Sequence, residues 1–568
     1  MRQISTDVAG PRGGPGFADA LASALLAEAP RVIGAIDRDP DSPTAGCMDR
    51  TYWAWKFTDF AGSRFQEGVC YLAFLCTRRL DDNPYVNNPA LLQWIGMALD
   101  RWSRLQHRDG SFDEAYPFER SLAATSFSSF YVAEALDMLG EAIEPHTLER
   151  TRLALARAGE WLLRNDETHG FLSNHLAAAA GTLQHIHRVT GEAKFDRRSA
   201  HFRDRILDRQ SAEGWYDEYG GADPGYQTHG TFYLVRLWQL TGDERLAESI
   251  ERSIEFLAHF IHPDGSVGGE YASRNTQTYY PAAFEMMAHR NPAASWISRT
   301  MRPSVLGGAA AGLRAVDSYN WFPVLNNLVF AYRAAASGEP VARPIEPDAG
   351  ATALWYPGAG IARIRRDRYD AYVGATKGGV IKVWDRRTGR LVLSDCGWVG
   401  STFDGSVAST QYHDGDRAVT VEGDRIEVGG CLSRSARPVM SPARFIAFRT
   451  FSTTIGRLAG VGRWLKQQLV RVLIYRRQQL PVTFNRTITF EDNRIVVADR
   501  LHGDHEGRLE SLRRGAVFTT IHMGSSRYFV LNELDAEPGI VVQSNAAWNI
   551  DPAALGAGVE VERVLELD

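Results

Sequence analysis

The sequence predicts a chain of two unlike parts, a domain of repeated helical hairpins followed by an antiparallel β domain. In the first part, apolar residues recur at intervals of three and four, the spacing of one helical face. In the second part, apolar and polar residues alternate, which is typical of half-buried strands. Residues 336–351 between them are rich in Pro, Gly and Ala and indicate a linker. We therefore expect a helical domain at residues 1–340, a linker at 341–352 and a β domain at 353–568.

The helical part contains a weak internal repeat. One predicted helical face is formed by Leu246, Ile250, Ile254, Leu257 and Ile261. Glycine-centred turns recur with spacings of 60, 44 and 51 residues, at Gly110, Gly170, Gly214 and Gly265. A period of about fifty residues accommodates two helices and two loops, so the hairpins either stack into a solenoid or close into a toroid.

Two tight turns mark hairpins in the β part. The dipeptides Gly423-Asp424 and Asp492-Asn493 each lie between two short runs of alternating apolar residues. Such dipeptides favour two-residue connections between antiparallel strands. Residues 456–480 depart from this pattern and form a basic amphipathic run. Packing on the β domain and docking on an anionic surface are both open for this run.

The composition disfavours several functional classes. The 568 residues include 63 basic and 68 acidic side chains, a net charge of −5, which argues against nucleic acid as a partner. The five cysteines are scattered and form no CxxC pair, so we expect neither a disulfide framework nor a cysteine zinc site. The sequence lacks GxSxG, P-loop and HExxH motifs and a strand-to-helix GxGxxG. We expect no cofactor and no metal; a structural divalent cation is an alternative that no motif indicates.

The sequence predicts neither a secreted nor a membrane-spanning chain. The apolar residues of 17–27 are interrupted by Asp19 and Ser23, which favours an amphipathic helix over a signal peptide. No stretch reaches the roughly 18–20 apolar residues of a spanning helix. We expect a cytoplasmic protein, with export by another route as an alternative. The oligomeric state is not predicted.

Residue types suited to proton transfer are concentrated after the glycine turns. If the hairpins form a ring, the polar and aromatic runs that follow the turns meet at one mouth. In the densest run, 213–229, Asp223 precedes Pro224, the pattern of an N-cap and a first helical residue. Tyr226 and His229 then share one helix face, and a phenol beside an imidazole is suited to proton transfer.

Two further runs supply groups that can bind a carboxylate. Asn174 and His175 follow the second turn, where an amide donates hydrogen bonds and a protonated imidazole carries positive charge. Arg274 in the fourth run can bind a carboxylate with two parallel hydrogen bonds. His413 of the β part reaches the mouth if the domains pack face to face. The predicted catalytic residues are Asn174, His175, Tyr226, His229 and His413. The predicted substrate contacts are Tyr116, Arg120, Trp215, Glu218, Tyr219, Arg274 and Asn275.

These features together resemble the heparinase II/III-like polysaccharide lyases. The resemblance rests on the helical repeats, the β domain, the tripeptide Ser173-Asn174-His175 and the runs at 218–226 and 269–276. It implies an incomplete (α/α) toroid followed by an antiparallel β-sandwich, with the substrate cleft between them. It also implies β-elimination on a uronic-acid-containing polysaccharide.

The resemblance implies specific roles for two residues. Asn174 matches the asparagine that neutralises the uronate carboxylate, and Tyr226 matches the tyrosine that donates a proton to the leaving oxygen and is also a candidate base. Members of the family often place a histidine in the sandwich as base or metal ligand, but the comparable stretch here, residues 375–379, has none. His413, a toroid histidine or Tyr226 alone would then take that role.

Two other functions remain open at this stage. A glycoside hydrolase on the same toroid would use paired carboxylates from the set Glu114, Asp217, Glu218, Asp223 and Glu270. A non-catalytic carbohydrate-binding protein of polysaccharide biosynthesis would keep the fold without the proton-transfer geometry. In each case the expected partner is a polysaccharide or oligosaccharide, with no nucleic acid and no transmembrane segment.

Overall fold

The computed structural model describes residues 16–167, 170–348, 350, 352–412, 417–435, 440–458, 460–462, 464, 478–503, 508–515, 527–535 and 549–567. Helices dominate as far as Ala335, and antiparallel strands follow from Thr352 onward. The predicted fold class, a helical toroid followed by an antiparallel β-sandwich, is confirmed.

The described inner helices form a ring. Each contacts the next, and α13 returns to contact α3. The inner ring of the described helices is therefore closed, whereas the resemblance implied an incomplete toroid. These helices are α3 (Gly68–Thr77), α5 (Leu122–Leu139), α7 (Ser173–Thr190), α9 (Pro224–Thr241), α11 (Ala282–Met287) and α13 (Ser318–Ala335).

An outer layer of helices covers the inner ring. In α10 the apolar residues predicted to share a face, from Leu246 to Leu257, are buried, and its charged residues are partly or fully exposed. The inner helices are buried on most sides, and small residues allow close packing: a Cβ on Gly181 of α7 would lie 3.0 Å from the Phe130 ring. The outer helices are α1 (Phe17–Ala35), α4 (Pro89–Leu105), α6 (Pro145–Arg164), α8 (Ala193–Leu207), α10 (Glu244–Ala258) and α12 (Pro292–Gly307). A short helix, α2 (Arg50–Trp53), precedes the ring.

The β part consists of two antiparallel sheets in the residues described. The first has the order β1-β2-β3-β4-β5, and the second has the order β13-β12-β6-β7-β9-β10-β11-β14 with β8 beside β9. Both predicted hairpins are present, as β8–β9 and β10–β11. The first sheet contains β1 (Thr352–Tyr356), β2 (Ile361–Arg365), β3 (Tyr369–Gly374), β4 (Val380–Asp385) and β5 (Leu391–Asp395). The second contains β6 (Trp398–Thr402), β7 (Val407–Ser409), β8 (Ala418–Glu422), β9 (Arg425–Ser435), β10 (Gln478–Phe490), β11 (Arg494–Gly503), β12 (Leu509–Arg514), β13 (Asn549–Ile550) and β14 (Val559–Glu566).

The first sheet is buried on both faces because it lies between the second sheet and the toroid. On β4, Ile381 and Val383 belong to the sandwich core, whereas Val380 and Trp384 belong to the toroid core. This alternation follows from the two-residue period of a strand. Trp384 donates to Asp264 Oδ2 (2.8 Å) and stacks on His262 at a ring distance of 4.0 Å. The strands β3 and β4 thus pack directly on the loops of the helical domain.

A helical arm leaves the second sheet between β9 and β10. It contains α14 (Pro442–Thr453), and its described contacts are with the helical domain. Phe448 packs against Tyr116 at 5.0 Å, and Arg449 forms an ion pair with Asp59 at 3.1 Å. Much of the basic run predicted at 456–480 lies outside the described residues. Among the helices that are described, none is long and apolar enough to cross a membrane.

A buried cluster of charges stabilises the sandwich. Arg486 donates to both oxygens of Asp499 (2.7 and 2.9 Å) and to Asp395 Oδ1 (3.2 Å). Arg563 completes the cluster at 2.6 Å from Asp395 Oδ2. The arginines hold the pKa of the Asp395 carboxyl well below its usual range.

We predict that Arg486→Met lowers the free energy of unfolding by about 3–5 kcal/mol, because it leaves buried carboxylates with too little positive charge. Arg494→Met is the control: Arg494 lies 3.5 Å from Glu491 with both side chains well exposed, so its loss costs below about 1 kcal/mol. Urea unfolding of the two variants measures the difference, and equal losses would contradict the prediction.

Candidate active site

The candidate site lies at the end of the toroid that faces the first sheet. The inner helices α7 and α9 begin there, three and ten positions after the predicted glycine turns at Gly170 and Gly214. The loop at residues 262–278 and the β3–β4 connection border the same region. Most predicted site residues of the helical domain therefore gather at one mouth.

Asp223 organises the start of α9. As predicted it is the N-cap, with Oδ1 accepting from the Tyr226 N–H (3.1 Å) and Pro224 as the first helical residue. Its Oδ2 accepts from the backbone N–H of Arg274 (2.7 Å) and Thr276 (3.4 Å). The carboxylate is fully buried, and burial raises its pKa. The turn that carries Tyr226 is thereby fixed to the loop that carries Arg274.

Asn174 occupies the first turn of α7 and pairs with Glu218. Its backbone N–H donates to Glu218 Oε1 (3.0 Å) and its amide Nδ2 donates to Oε2 (3.1 Å). Both side chains are buried. Burial and the nearby carboxylates of Asp223 and Asp217 raise the pKa of Glu218 well above its usual value. The two hydrogen bonds therefore hold the Asn174 side chain in place. Burial shifts the Glu218 carboxyl group towards its neutral form.

Tyr226, Tyr219 and Arg274 form an aromatic and cationic group beside this pair. The Arg274 guanidinium lies 3.8 Å from the centre of the Tyr219 ring, a cation–π contact. Tyr219 adopts a positive φ of 60°. Its phenol lies near enough to that of Tyr226 for the two groups to interact electrostatically. Tyr226 is half-buried, whereas Arg274 is 3% exposed. Tyr219 is half-buried as well, so both phenols are more accessible than the Arg274 guanidinium.

The two predicted toroid histidines have different environments. His175 is partly exposed, and its Nδ1 lies 2.7 Å from Glu167 Oε2, which leaves Nε2 on the opposite edge of the ring. His229 is buried between Phe127 and Tyr280, with a ring distance of 4.1 Å to Tyr280. Burial lowers the pKa of His229 well below its usual value. His229 belongs to the wall beneath the site, and His175 is better placed to exchange a proton with a bound molecule.

Three predicted residues bind other parts of the protein, and a fourth lies outside the described part. Trp215 donates to Glu213 (2.7 Å), whose carboxylate accepts from Gly358 and Ala359 of the β part, so Trp215 supports the domain junction. Tyr116 and Arg120 contact the α14 arm, Arg120 through the Arg457 carbonyl at 2.7 Å. His413 lies outside the described residues.

Two charged residues of the site were missed by sequence reasoning. Arg64 is buried beneath the mouth, 4.5 Å from the Phe127 ring centre and ion-paired with Glu114 at 2.9 Å and with Glu67. Lys377 of the β3–β4 connection donates to Asn275 Oδ1 at 2.6 Å. Lys377 lies within residues 375–379, where members of the resembled family often have a histidine. The sequence signal for it was this single basic residue.

The carboxylates that a glycosidase would need are occupied by other bonds. Each of the five candidates has a protein partner: Glu114 pairs with Arg64, Asp217 accepts from Gly220, Glu218 accepts from Asn174, Asp223 accepts from three backbone groups, and Glu270 pairs with Lys382. An inverting pair needs one ionised carboxylate with room for a water molecule beside it. The described geometry does not favour that arrangement.

One described group of side chains has the composition of a metal site, far from the mouth. Glu134, Asp137 and His185 lie near the last turns of α5 and α7. Both oxygens of Glu134 already accept from Arg236 (2.8 and 3.0 Å), and this cation competes with any metal. The group does not adjoin the predicted site residues.

Comparison with known proteins agrees with this geometry. Residues 63–301 match the family model of the ulvan lyase N-terminal domain. Over 197 residues the chain is 25% identical to the broad-specificity ulvan lyase of Formosa agariphila, a match that covers 30% of each protein. The predicted resemblance to heparinase II/III-like polysaccharide lyases is confirmed. The segment that matches the family model, residues 63–301, contains Asn174, Tyr226 and Arg274 but not Lys377.

Solved structures support the same architecture. The chondroitin AC lyase of Streptomyces coelicolor A3 in complex with chondroitin sulphate superposes with a TM-score of 0.53 at 13% identity, covering 90% of this chain and 69% of that one. A Paenibacillus xanthan lyase gives a TM-score of 0.53 at 11% identity, covering 97% of this chain and 57% of that one. At these identities the likeness concerns the fold.

We predict that Asp223→Ala lowers the free energy of unfolding by about 2–4 kcal/mol, since it removes an N-cap and leaves buried N–H groups of the Arg274 loop without an acceptor. Asn88→Ala is the control, because Asn88 caps α4 but binds only that helix, and its loss costs about 1 kcal/mol. Urea unfolding compares the two; a loss for Asp223→Ala no larger than that of the control would contradict the prediction.

We also predict that His229 makes the protein sensitive to acid. Its pKa is lowered in the folded protein, so below about pH 6.5 the unfolded chain binds a proton that the folded chain does not. Stability then falls as pH falls, by up to about 1.4 kcal/mol per pH unit. His229→Phe removes this contribution, and urea unfolding between pH 7 and 5 shows a shallower decline.

Tyr233→Phe serves as the control for this measurement. It removes the hydrogen bond between Tyr233 and His229 (3.1 Å) but leaves the buried imidazole in place. The wild-type slope is therefore expected. Equal slopes for wild type and His229→Phe would show that another group causes the acid sensitivity.

Proposed function

We propose that this protein is a polysaccharide lyase that cleaves a uronic-acid-containing glycan by β-elimination. The observation that carries the proposal is the juxtaposition of Asn174 and Tyr226 in the first turns of neighbouring inner helices, at the mouth that faces the sandwich. The match of residues 63–301 to the ulvan lyase N-terminal domain supports it. The matched relative is covered over only 30% of its length, so its activity is carried over here as a proposal.

The reaction requires three functions from the protein. The C5–H bond breaks as a base accepts the proton, and its electron pair forms the C4=C5 double bond. The C4–O4 bond breaks at the same time or afterwards, and O4 leaves with a proton from an acid. A hydrogen-bond donor at the C6 carboxylate stabilises the negative charge that develops between C5 and the carboxylate.

Asn174 is suited to bind the carboxylate. One of its two amide hydrogens is directed to Glu218, and the second remains a donor for a uronate oxygen. Burial raises the pKa of Glu218, which weakens the repulsion between its carboxyl group and an incoming carboxylate. Arg274, stacked on Tyr219, adds positive charge to the same group of residues.

Tyr226 is the proposed acid that protonates O4. Its phenol is half-buried, and its turn is fixed by Asp223. The base is Tyr226 itself or His175, whose Nδ1 is oriented by Glu167 so that Nε2 is the nitrogen able to accept a proton. A partner of this kind holds an imidazole in one orientation and one tautomer.

The first substrate to test is ulvan, on which the matched relative is named as acting. Other uronate-containing polysaccharides complete the panel. We predict that the wild type raises ultraviolet absorbance, because each cleavage creates an unsaturated uronate. Tyr226→Phe lowers kcat by about 10²–10⁴-fold, the contribution expected of a general acid or base.

Tyr332→Phe is the matched control, since Tyr332 lies near the end of α13, at the opposite end of the ring. We expect this variant to retain the wild-type kcat. Reducing ends are measured beside absorbance. New reducing ends without a rise in absorbance would contradict the lyase proposal and favour a hydrolase. Binding of a polysaccharide without either signal would favour the non-catalytic carbohydrate-binding protein.

A further inference from the structure

The β3–β4 connection of the sandwich reaches into the toroid and is rigidly held. It forms a 3-10 turn, Ala375–Lys377, followed by Gly378 and Gly379 with positive φ angles of 77° and 74°. A Cβ at Gly378 would lie 2.2 Å from the Thr410 carbonyl oxygen, and one at Gly379 would lie 2.7 Å from Arg486. Only glycine permits this approach. The turn is therefore fixed against the second sheet and its buried charge cluster.

Lys377 projects from this turn into the loop that carries Arg274. Its Nζ donates to Asn275 Oδ1 (2.6 Å) and to the Ala272 carbonyl (2.9 Å), and the residue is 3% exposed. The charged and titratable groups that face it are Asp223 at the start of α9, Glu270 and Arg274 of the toroid loop, and Cys396 after β5. A buried ammonium is costly unless it is hydrogen-bonded, so this contact restricts where the loop can lie.

The loop at residues 272–276 is held from two sides. Asp223 accepts from the N–H groups of Arg274 and Thr276 on the toroid side, and Lys377 binds Ala272 and Asn275 on the sandwich side. Asn275 adopts a positive φ of 64°, a conformation that costs free energy for a residue with a side chain. The bond from Lys377 to its side chain is one interaction that offsets this cost.

We propose that Lys377 is a positioning residue for the lyase reaction, through which the sandwich holds Arg274 and Asn275 in place at the mouth. This inference rests on the proposed function. The sandwich then acts on the site through the buried Lys377 ammonium. Lys377 lies in residues 375–379, the stretch in which members of the resembled family often have a histidine. Both hydrogen bonds of Lys377 go to the loop at residues 272–276, so its effect on the reaction passes through Arg274.

Burial is consistent with this arrangement. It lowers the pKa of Lys377 to about 8, while Asp223 opposes the shift. A neutral amine keeps two N–H groups, enough for both of its acceptors. The hydrogen bonds to the loop therefore persist on either side of that pH, as a positioning role requires.

A double-mutant cycle tests the proposal on the polysaccharide that the wild type cleaves. Lys377→Met keeps the length of the side chain and removes both hydrogen bonds. We expect it to lower kcat/KM by about 10–100-fold, the scale of a misplaced reacting group. In an Arg274→Gln background it should add less than about 3-fold, because the two residues act together. The change should divide between kcat and KM as it does for Arg274→Gln.

Lys382→Met is the matched control. Lys382 is an equally buried lysine of the same sheet, but it pairs with Glu270 (2.5 Å), which lies outside residues 272–276. Its effect should multiply with that of Arg274→Gln. If the effects of Lys377→Met and Arg274→Gln multiply in the same way, the positioning role is wrong.

A crystal structure of Lys377→Met provides a readout that does not depend on activity. We expect residues 272–276 to shift and Arg274 to leave the face of Tyr219; an unchanged loop would overturn the proposal. If no polysaccharide is cleaved by the wild type, the proposed function fails while this structure still decides whether Lys377 holds the loop. Should Lys377→Met not fold, Asn275→Ala removes the acceptor and is examined by the same two measurements.

Discussion

The candidate site depends on one buried carboxylate, that of Asp223. One of its oxygens caps the helix that carries Tyr226, and the other binds the backbone beside Arg274. Burial raises its pKa, whereas the three backbone N–H groups favour the ionised form. The Asp223 carboxylate thereby fixes the backbone that carries the Tyr226 phenol and the backbone that carries the Arg274 guanidinium. Neither position relies on a flexible ion pair at the surface, so the geometry of the mouth is set by the backbone.

The junction between the domains adds a second constraint. Two lysines of the sandwich are buried against the toroid, Lys377 on Asn275 and Lys382 on Glu270. Apolar contacts such as that of His262 with Trp384 supply buried area but tolerate small displacements. A buried ammonium does not, because sliding the sheet along the mouth would separate each lysine from its acceptor. The ionic contacts therefore restrict the relative placement of the two halves of the cleft.

Sequence reasoning succeeded where the signal is local. The N-cap at Asp223, the glycine turns and the hairpin at Gly423-Asp424 each depend on a few neighbouring residues. It failed where the deciding contact joins distant parts of the chain. Lys377 and Asn275 are separated by 102 positions, and the Glu213 carboxylate that binds Trp215 also binds Gly358, 145 positions away. The closed inner ring is a contact between the first and last inner helices, which periodicity alone does not reveal.

The charges of the mouth also bear on the choice between elimination and hydrolysis. A hydrolase places an ionised carboxylate and a protonated one around the glycosidic bond. A uronate substrate brings its own carboxylate, so elimination needs a site in which protein carboxylates are paired or neutral. Glu270 is paired with Lys382, and Glu218 is kept towards neutrality by burial, while Arg274 supplies positive charge. The arrangement lowers the repulsion that a bound uronate would meet, and this electrostatic condition favours elimination over hydrolysis.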